Sequence, residues 1–228
     1  MHYGAIPYAL THPGTHCDLL RAHTRGVLAE SVACRHARFL GGEAGLLGGA
    51  GPQLPAWESA LTAMFVHASF LHVFGNVLAL AIFGPSVEDA MGRLRFAAFY
   101  LLGGLAALAA QLAAAPSSTA PVLGASGAVA AVLGGYLLLY PRARVLSLVF
   151  VVFIVTIVEV PAVLLLVLWF AEQLWLGLEG LAGASGVESS GAGVGVAWLA
   201  PIGGFAFGVL AVRLLVRRAC APRPLAPA

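Results

Sequence analysis

Long apolar windows, separated by short polar connections, occupy most of the chain after residue 60. Five windows cover residues 61–84, 96–115, 122–140, 145–178 and 194–216. A helix needs about 20 mostly apolar residues to cross the hydrocarbon core of a bilayer. The pattern therefore predicts an all-α, polytopic membrane bundle of about five spans.

The fourth window is too long for one straight crossing. It is interrupted by Glu159-Val160-Pro161, and proline is tolerated in the first turn of a helix but disrupts a helix interior. We therefore expect a short membrane-associated segment, followed by a helix that starts at Pro161.

Residues 1–55 differ from the rest of the chain, because they hold no long apolar window and include a glycine-rich run at 41–51. They predict an extramembrane N-terminal segment. The predicted organisation is this segment, a membrane domain at 56–218 and a cytoplasmic tail at 219–228.

Composition excludes two broad classes of protein. Of the 228 residues, 60% are hydrophobic and only 10% are charged, whereas an ordinary soluble domain has roughly 45–50% apolar and 25% charged residues. A soluble domain and a disordered chain are both excluded. All twelve basic residues are arginines and the net charge is only +2, so we expect no general basic surface and no nucleic-acid partner.

The arginines predict which ends of the spans face the cytoplasm. Arginine-rich connections lie on the cytoplasmic side, so the arginine-free connections 116–121 and 180–193 should lie outside. This assignment also places the N-terminal segment outside, although that segment holds four arginines. Eight of the twelve lie in alternate connections and at or after the end of the last window: Arg93, Arg95, Arg142, Arg144, Arg213, Arg217, Arg218 and Arg223.

Few polar side chains remain inside the windows. His67, His72 and Asn76 lie in the first window, and the last two are four residues apart, so they share one helix face. Ser126 would begin a helix, where free N–H groups and the helix dipole favour negative charge. Taken separately, the His72 and Asn76 pair is explained by a hydrogen-bonded contact between helices, and Ser126 is explained as the N-cap of a helix. Together they resemble parts of an acyl-transfer site.

The general base that a nucleophilic serine needs is missing from the later windows. Histidine is the usual choice near neutral pH, and no histidine follows His72 in the chain.

The ordered set of motifs strongly resembles the rhomboid family of intramembrane serine proteases. The resemblance covers roughly residues 57–216. It rests on residues 64–72 with Asn76, 83–89 with Gly92, 124–128, 140–144, 168–170 with Gln173, and 202–205.

The resemblance implies a role for each matching residue. Ser126 takes the position of the nucleophile, His72 and Asn76 take positions that stabilise the oxyanion, and His67 takes the position of a histidine that supports the fold. The resemblance implies no metal and no cofactor. It also implies close helix packing at small residues, here Gly124, Gly127, Gly203 and Gly204.

One departure from the family pattern bears directly on activity. In the family, a histidine precedes Ile-Gly-Gly on the last span and forms a catalytic dyad with the serine, whereas this chain has Pro201 there. Proline has no proton acceptor and tends to kink a helix. The carboxylates of Glu159 and Glu172 are the other candidates for a base, and nothing in the sequence places them near Ser126.

Two functions therefore stay open. The first is an intramembrane serine endopeptidase, impaired by Pro201, that cleaves transmembrane segments of membrane proteins. The second is a non-catalytic rhomboid-like protein that binds transmembrane clients. The partners expected are transmembrane proteins and membrane lipid, and the resemblance favours a multi-pass protein of a bacterial cell membrane.

A second departure concerns the N-terminus. Residues 3–7 resemble a segment that follows the first transmembrane helix of related bacterial rhomboids, so we expect one family helix, and the natural start, to lie upstream of Met1. If residues 1–55 are extracytoplasmic, Cys17 and Cys34 either form a disulfide or stay as free thiols.

Overall fold

We analysed a computed structural model of the chain. It describes residues 4–13, 15–24, 27–36, 55–67, 69–119, 121–151, 154–183 and 199–216. The predicted tail at 219–228 and the connection at 184–198 lie outside the described residues.

Seven helices and four strands follow one another along the described residues. They are α1 (Pro7–Thr11), β1 (Thr15–Thr24), β2 (Val27–His36), α2 (Ala56–Thr62), α3 (Phe70–Met91), α4 (Arg93–Ala114), α5 (Ser126–Leu139), β3 (Arg144–Val151), β4 (Ile154–Pro161), α6 (Ala162–Gly183) and α7 (Leu199–Leu215).

Helix α5 is the centre of the bundle. Every residue from Gly127 to Tyr136 is buried, as expected of a helix that is apolar all round and surrounded by other helices. It packs against α7, α4 and α3. Its 14 residues span about 21 Å, which is shorter than the roughly 30 Å hydrocarbon core of a bilayer.

Small residues bring the backbones of α4, α5 and α7 together. A Cβ atom added to Gly204 would overlap the carbonyl of Gly127, and one added to Gly208 would overlap the carbonyl of Ala131. On α4, a Cβ atom on Gly103 would overlap the side chain of Ala131. This close approach is the packing mode that small residues permit between membrane helices.

The outer surface of the bundle is apolar. Phe70 is 86% exposed, Leu94 89% and Leu214 84%, which would be costly in water and is suited to lipid. By length and composition, α3 and α4 can each cross a membrane, and α5, α7 and the first part of α6 are shorter apolar helices. The predicted helical bundle is confirmed, and the five long helices lie within or close to the five apolar windows.

The first span starts later than predicted. The window at 61–84 contains the end of α2, a turn and most of α3, because Ser69 caps α3 by accepting a hydrogen bond from His72 N–H (3.2 Å). The assignment of His67 to this span was wrong, since His67 precedes the cap. At the other end, Gly92 has φ +84° and separates α3 from α4, a conformation that glycine adopts without strain.

The fourth window contains a β-hairpin as well as a helix. Strands β3 and β4 pair antiparallel, with Arg144 opposite Pro161 and Val151 opposite Ile154. Helix α6 starts at Ala162, one residue after the predicted start, because proline ends the extended segment. The expected segment before the helix is therefore present, but its conformation was not predicted.

The N-terminal segment contains a second hairpin. Strands β1 and β2 pair antiparallel, and Cys17 lies opposite Cys34. The two residues form a disulfide with an S–S distance of 2.02 Å, which selects the paired alternative left open by the sequence.

The contact between α5 and α7 should contribute to the stability of the folded bundle. Gly204→Ala places a methyl group against the Gly127 carbonyl, and such overpacking typically costs about 1–3 kcal/mol. We expect a lower midpoint of thermal unfolding in detergent. Gly75→Ala is the matched control, because a Cβ there meets nothing within 4 Å and alanine favours a helix by about 1 kcal/mol over glycine. Equal midpoints for the two variants would contradict the proposed contact.

Candidate active site

A cavity of about 520 Å³ lies at the start of α5. Residues of α2, α3, α4, α5, α6, α7 and the 121–124 loop line it. It brings together six of the residues singled out from the sequence: His72, Asn76, Gly124, Ser126, Gly127 and Pro201.

Ser126 is the first residue of α5, as the sequence predicted. The helical hydrogen bonds begin with Val129 N–H and Ala125 O, 2.8 Å apart, so the N–H groups of residues 126–128 precede the ladder. Free N–H groups at a helix start, together with the helix dipole, stabilise a nearby negative charge. No described residue hydrogen-bonds Ser126 Oγ.

The ring of His72 lies against the backbone at Gly124. A Cβ atom on Gly124 would lie 2.6 Å from His72 Cε1 and 2.9 Å from Nε2, so any other residue would displace the ring. Gly124 also has φ +107°, a conformation that side chains disfavour. Both features require glycine here. The His72 ring therefore lies against the backbone two residues before Ser126.

His67 holds the loop that leads to the serine. Its Nε2 accepts a hydrogen bond from Ala125 N–H (3.3 Å), and Gly124 N–H donates to Ala63 O (2.8 Å). Because Nε2 accepts this bond, its lone pair is not free to take a proton from Ser126. The geometry is that of a residue that positions the loop.

Asn76 lines the cavity from α3. Its Nδ2 atom is buried and has no hydrogen-bond partner among the described residues. A buried donor without a partner is costly. A ligand oxygen in the cavity would remove that cost.

Pro201 lines the cavity from the first described turn of α7. It is the third described residue of α7, and the first four N–H groups of a helix have no partner within it. The N–H of Leu199 instead donates to Oε1 of the buried Gln111 (3.2 Å).

Pro201 provides no proton acceptor for Ser126. Among the residues that line the cavity, His72 is the one histidine, and no Asp or Glu side chain lines it. Glu159 lies on β4 beyond the other end of α5 and pairs with Arg144 at 3.4 Å, so it is not placed to act on Ser126. The side chain of Glu172 lies outside the described residues.

Gly127 and Gly204 fix how close α4 and α7 lie to the serine helix, and Gly203 fixes how close α7 lies to α4. A Cβ on Gly127 would overlap Ala107, one on Gly203 would overlap Ala110, and one on Gly204 would overlap the Gly127 carbonyl. Gly204 therefore packs against the serine helix as expected, whereas Gly203 packs against α4.

The N-terminal residues contribute a contact that the sequence did not reveal. Ala5 and Val122 exchange two backbone hydrogen bonds of 3.1 and 2.7 Å, and Tyr8 N–H donates to Ser118 O (2.9 Å). Thr11 Oγ1 donates to Pro116 O (2.9 Å). We call residues 4–11 the N-terminal strap. It covers the connection from α4 to α5, which forms one wall of the cavity.

The signal for the strap in the sequence was weak. Proline at the first position of α1 is typical of a helix start, but no pattern in the sequence specifies a strap partner more than 100 residues away.

Among the described residues, no group of three or more His, Cys, Asp or Glu side chains is placed to hold a metal ion.

The chain belongs to the rhomboid family. The family model described as the Rhomboid domain matches residues 55–218, which is most of the chain. Together with the apolar helices, this match identifies an integral membrane protein.

Three curated relatives share part of this region. They are rhomboid protein 1, mitochondrial, of Saccharomyces cerevisiae (37% identical over 96 residues, 40% of this chain), rhomboid-like protein 11, chloroplastic, of Arabidopsis thaliana (39% over 75, 33% of this chain) and the rhomboid protein YdcA of Bacillus subtilis (31% over 81, 36% of this chain). The matched regions span 28%, 26% and 40% of the lengths of these relatives. No solved structure gives a significant match.

The strap makes a prediction about the loop that precedes Ser126. Ala5→Pro removes the N–H that donates to Val122 O. We expect faster hydrogen exchange at the amide of Val122, because its acceptor, Ala5 O, is displaced. Ala9→Ser is the control, since Ala9 makes none of the described bonds to this loop. Unchanged exchange at Val122 in Ala5→Pro would show that the strap does not hold the loop.

Proposed function

We propose that this chain is a rhomboid-type intramembrane serine endopeptidase whose turnover is strongly reduced because Pro201 occupies the position of the catalytic histidine. The observation that carries the proposal is the convergence of Ser126, His72 and the unpaired amide of Asn76 on one cavity. The substrates are transmembrane segments of other membrane proteins.

In this mechanism, Ser126 Oγ attacks the carbonyl carbon of the scissile peptide bond. The carbonyl oxygen becomes an oxyanion, which the Ser126 N–H, His72 and Asn76 stabilise by hydrogen bonds. The C–N bond then breaks, and the amine leaves with a proton. Water completes the reaction by hydrolysing the acyl-enzyme.

Proton transfer is the step that this site performs poorly. A base has to take the proton from Ser126 Oγ and return it to the leaving amine. Pro201 has no atom that does so, and His72 is already assigned to the oxyanion. Removal of the base from a serine protease costs on the order of a million-fold in turnover, so we expect the native chain to be nearly inactive.

Access for a transmembrane segment is proposed between α3 and α6. Both helices line the cavity, α3 through His72 and Asn76 and α6 through Trp169 and Gln173. Of the five long helices, α6 has the least contact with the rest of the described bundle. Helices with weaker contacts open at lower free-energy cost.

The location proposed is the cell membrane of a bacterium, with the cavity at the extracytoplasmic end of the bundle. The support for this orientation is the arginine distribution, because Arg93, Arg95, Arg142 and Arg144 flank the ends of α3, α4 and α5 remote from Ser126.

Pro201 also favours a second function. A site that keeps a substrate cavity but lacks a base binds transmembrane clients without cutting them. The two functions differ in whether any Ser126-dependent cleavage occurs, and whether captured clients remain intact.

Restoring the base provides a direct test. We expect Pro201→His to raise cleavage of a rhomboid model substrate in detergent by at least about 100-fold, the lower range for a positioned general base. The measurement is the initial rate of product formation. Because Pro201 lies in the first turn of α7, where proline is not needed for the helix, the substitution should preserve the fold.

The matched control carries Pro201→His together with Ser126→Ala and should be inactive. Cleavage in this double variant would exclude Ser126 as nucleophile. If Pro201→His is folded, retains client capture and cleaves nothing, the peptidase proposal is wrong and the client-binding function is favoured.

The role of Asn76 generates a separate prediction. In the Pro201→His background, Asn76→Ala removes the unpaired donor and should lower kcat by about 100-fold to 1,000-fold, as for other single oxyanion donors. KM should change little, since the bond forms mainly in the transition state. Val77→Ala, at a neighbouring residue that is 60% exposed, is the control. A rise in KM with kcat unchanged would assign Asn76 to substrate binding.

A further inference from the structure

The hairpin of β3 and β4 is far more apolar than a water-exposed hairpin. Between Val145 and Val160, only Ser147, Thr156 and Glu159 are polar. An isolated two-stranded hairpin is at best marginally stable in water. Some other environment therefore has to accommodate this one.

The base of the hairpin is fixed to the bundle. Ala162 N–H donates to Ala143 O (2.8 Å), and Ala143 and Val145 pack against the main core cluster. The register places Val145 opposite Val160, so this pair marks the hairpin face that turns toward the bundle.

The opposite face is turned away from the bundle. Residues directly opposite each other share a face, and the register places Leu146 opposite Glu159 and Leu148 opposite Ile157. Leu146 is 71% exposed and Ile157 is 68% exposed. We call the face that carries Leu146 and Ile157 the outer face.

A charged pair lies at the base of the same face. Arg144 and Glu159 are 3.4 Å apart, with side chains 67% and 59% exposed. Arg142, two residues before Arg144 along the chain, is also exposed. The outer face is therefore apolar along the strands and charged at the end attached to the bundle.

Physical constraints favour the membrane interface for this arrangement. The outer face disfavours water, because large apolar side chains are exposed there. The hydrocarbon core is also excluded, because each strand of a two-stranded hairpin has an outer edge of unpaired N–H and C=O groups. The boundary between lipid headgroups and acyl chains accepts both apolar side chains and solvated backbone.

We propose that this hairpin lies in the plane of the membrane surface and inserts its outer face at the headgroup boundary of the leaflet remote from Ser126. The occupant of the face is phospholipid. Leu164, Val167 and Leu168, which follow in α6, are 50%, 53% and 58% exposed, so the outer face continues the lipid-facing surface of that helix. Arg142 is placed to contact anionic headgroups.

The proposal is independent of catalysis and is tested in proteoliposomes of phosphatidylcholine and phosphatidylglycerol. In a Cys220→Ser background, with Cys17 and Cys34 bonded to each other, Leu146→Cys carries an environment-sensitive fluorophore. We expect blue-shifted emission and at least about twofold stronger quenching by lipids with a nitroxide near the headgroup than by lipids with one near the chain terminus, as for a face inserted about 5–10 Å.

Two labelled positions provide matched controls. A fluorophore at Arg142→Cys, at the base of the hairpin, should report water. One at Val167→Cys on α6 should be in lipid, and more accessible to the deeper nitroxide than the label at residue 146. Leu146→Cys combined with Ile157→Asp should lose the blue shift while the thermal unfolding midpoint of the bundle stays within a few degrees.

Three outcomes would overturn the proposal. Water-like emission at residue 146 would place the hairpin in solvent. Stronger quenching there by the deep nitroxide would place it within the hydrocarbon core. Absence of lipid quenching, together with energy transfer between labelled copies, would show that the outer face binds a second copy of this chain.

Discussion

The backbone of α7 lies directly against the backbone of α5, and the rest of the structure depends on that contact. It is possible only because Gly204 and Gly208 lack side chains where they meet the carbonyls of Gly127 and Ala131. In lipid there is little hydrophobic gain from bringing two apolar helices together, so close packing has to supply the attraction. The same contact brings the first turn of α7, with Pro201, to the cavity that begins at Ser126.

The loop before Ser126 is held from three directions. Gly124 and Ala125 donate their N–H groups to Ala63 and His67, and Ala5 pairs with Val122. These bonds fix the serine end of α5 without any contribution from Pro201. The missing base is therefore a chemical difference within an otherwise assembled cavity, which is why restoring one side chain is an informative experiment.

Much of the fold was predictable, for a physical reason particular to membranes. An apolar window has to form a helix to satisfy its backbone in lipid, so the windows located all five long helices. The same rule placed the ends of some predicted spans incorrectly. Ser69 caps α3 after His67, and strands β3 and β4 pair as a hairpin although the composition of this window resembles that of a span. Hydropathy reports whether side chains avoid water, but it does not report how the backbone hydrogen bonds are satisfied.

The sequence by itself determined the family, the membrane environment, the position of Ser126 at a helix start and the absence of a histidine at residue 201. Those properties are local, since each depends on residue type and spacing within one segment. Only the tertiary structure decided that His72 packs on Gly124, that Asn76 lines the cavity and has a buried, unpaired amide nitrogen, and that the N-terminal strap covers the loop before the serine. These contacts join residues from about 50 to more than 100 positions apart, and they depend on how closely the glycines let the helices approach.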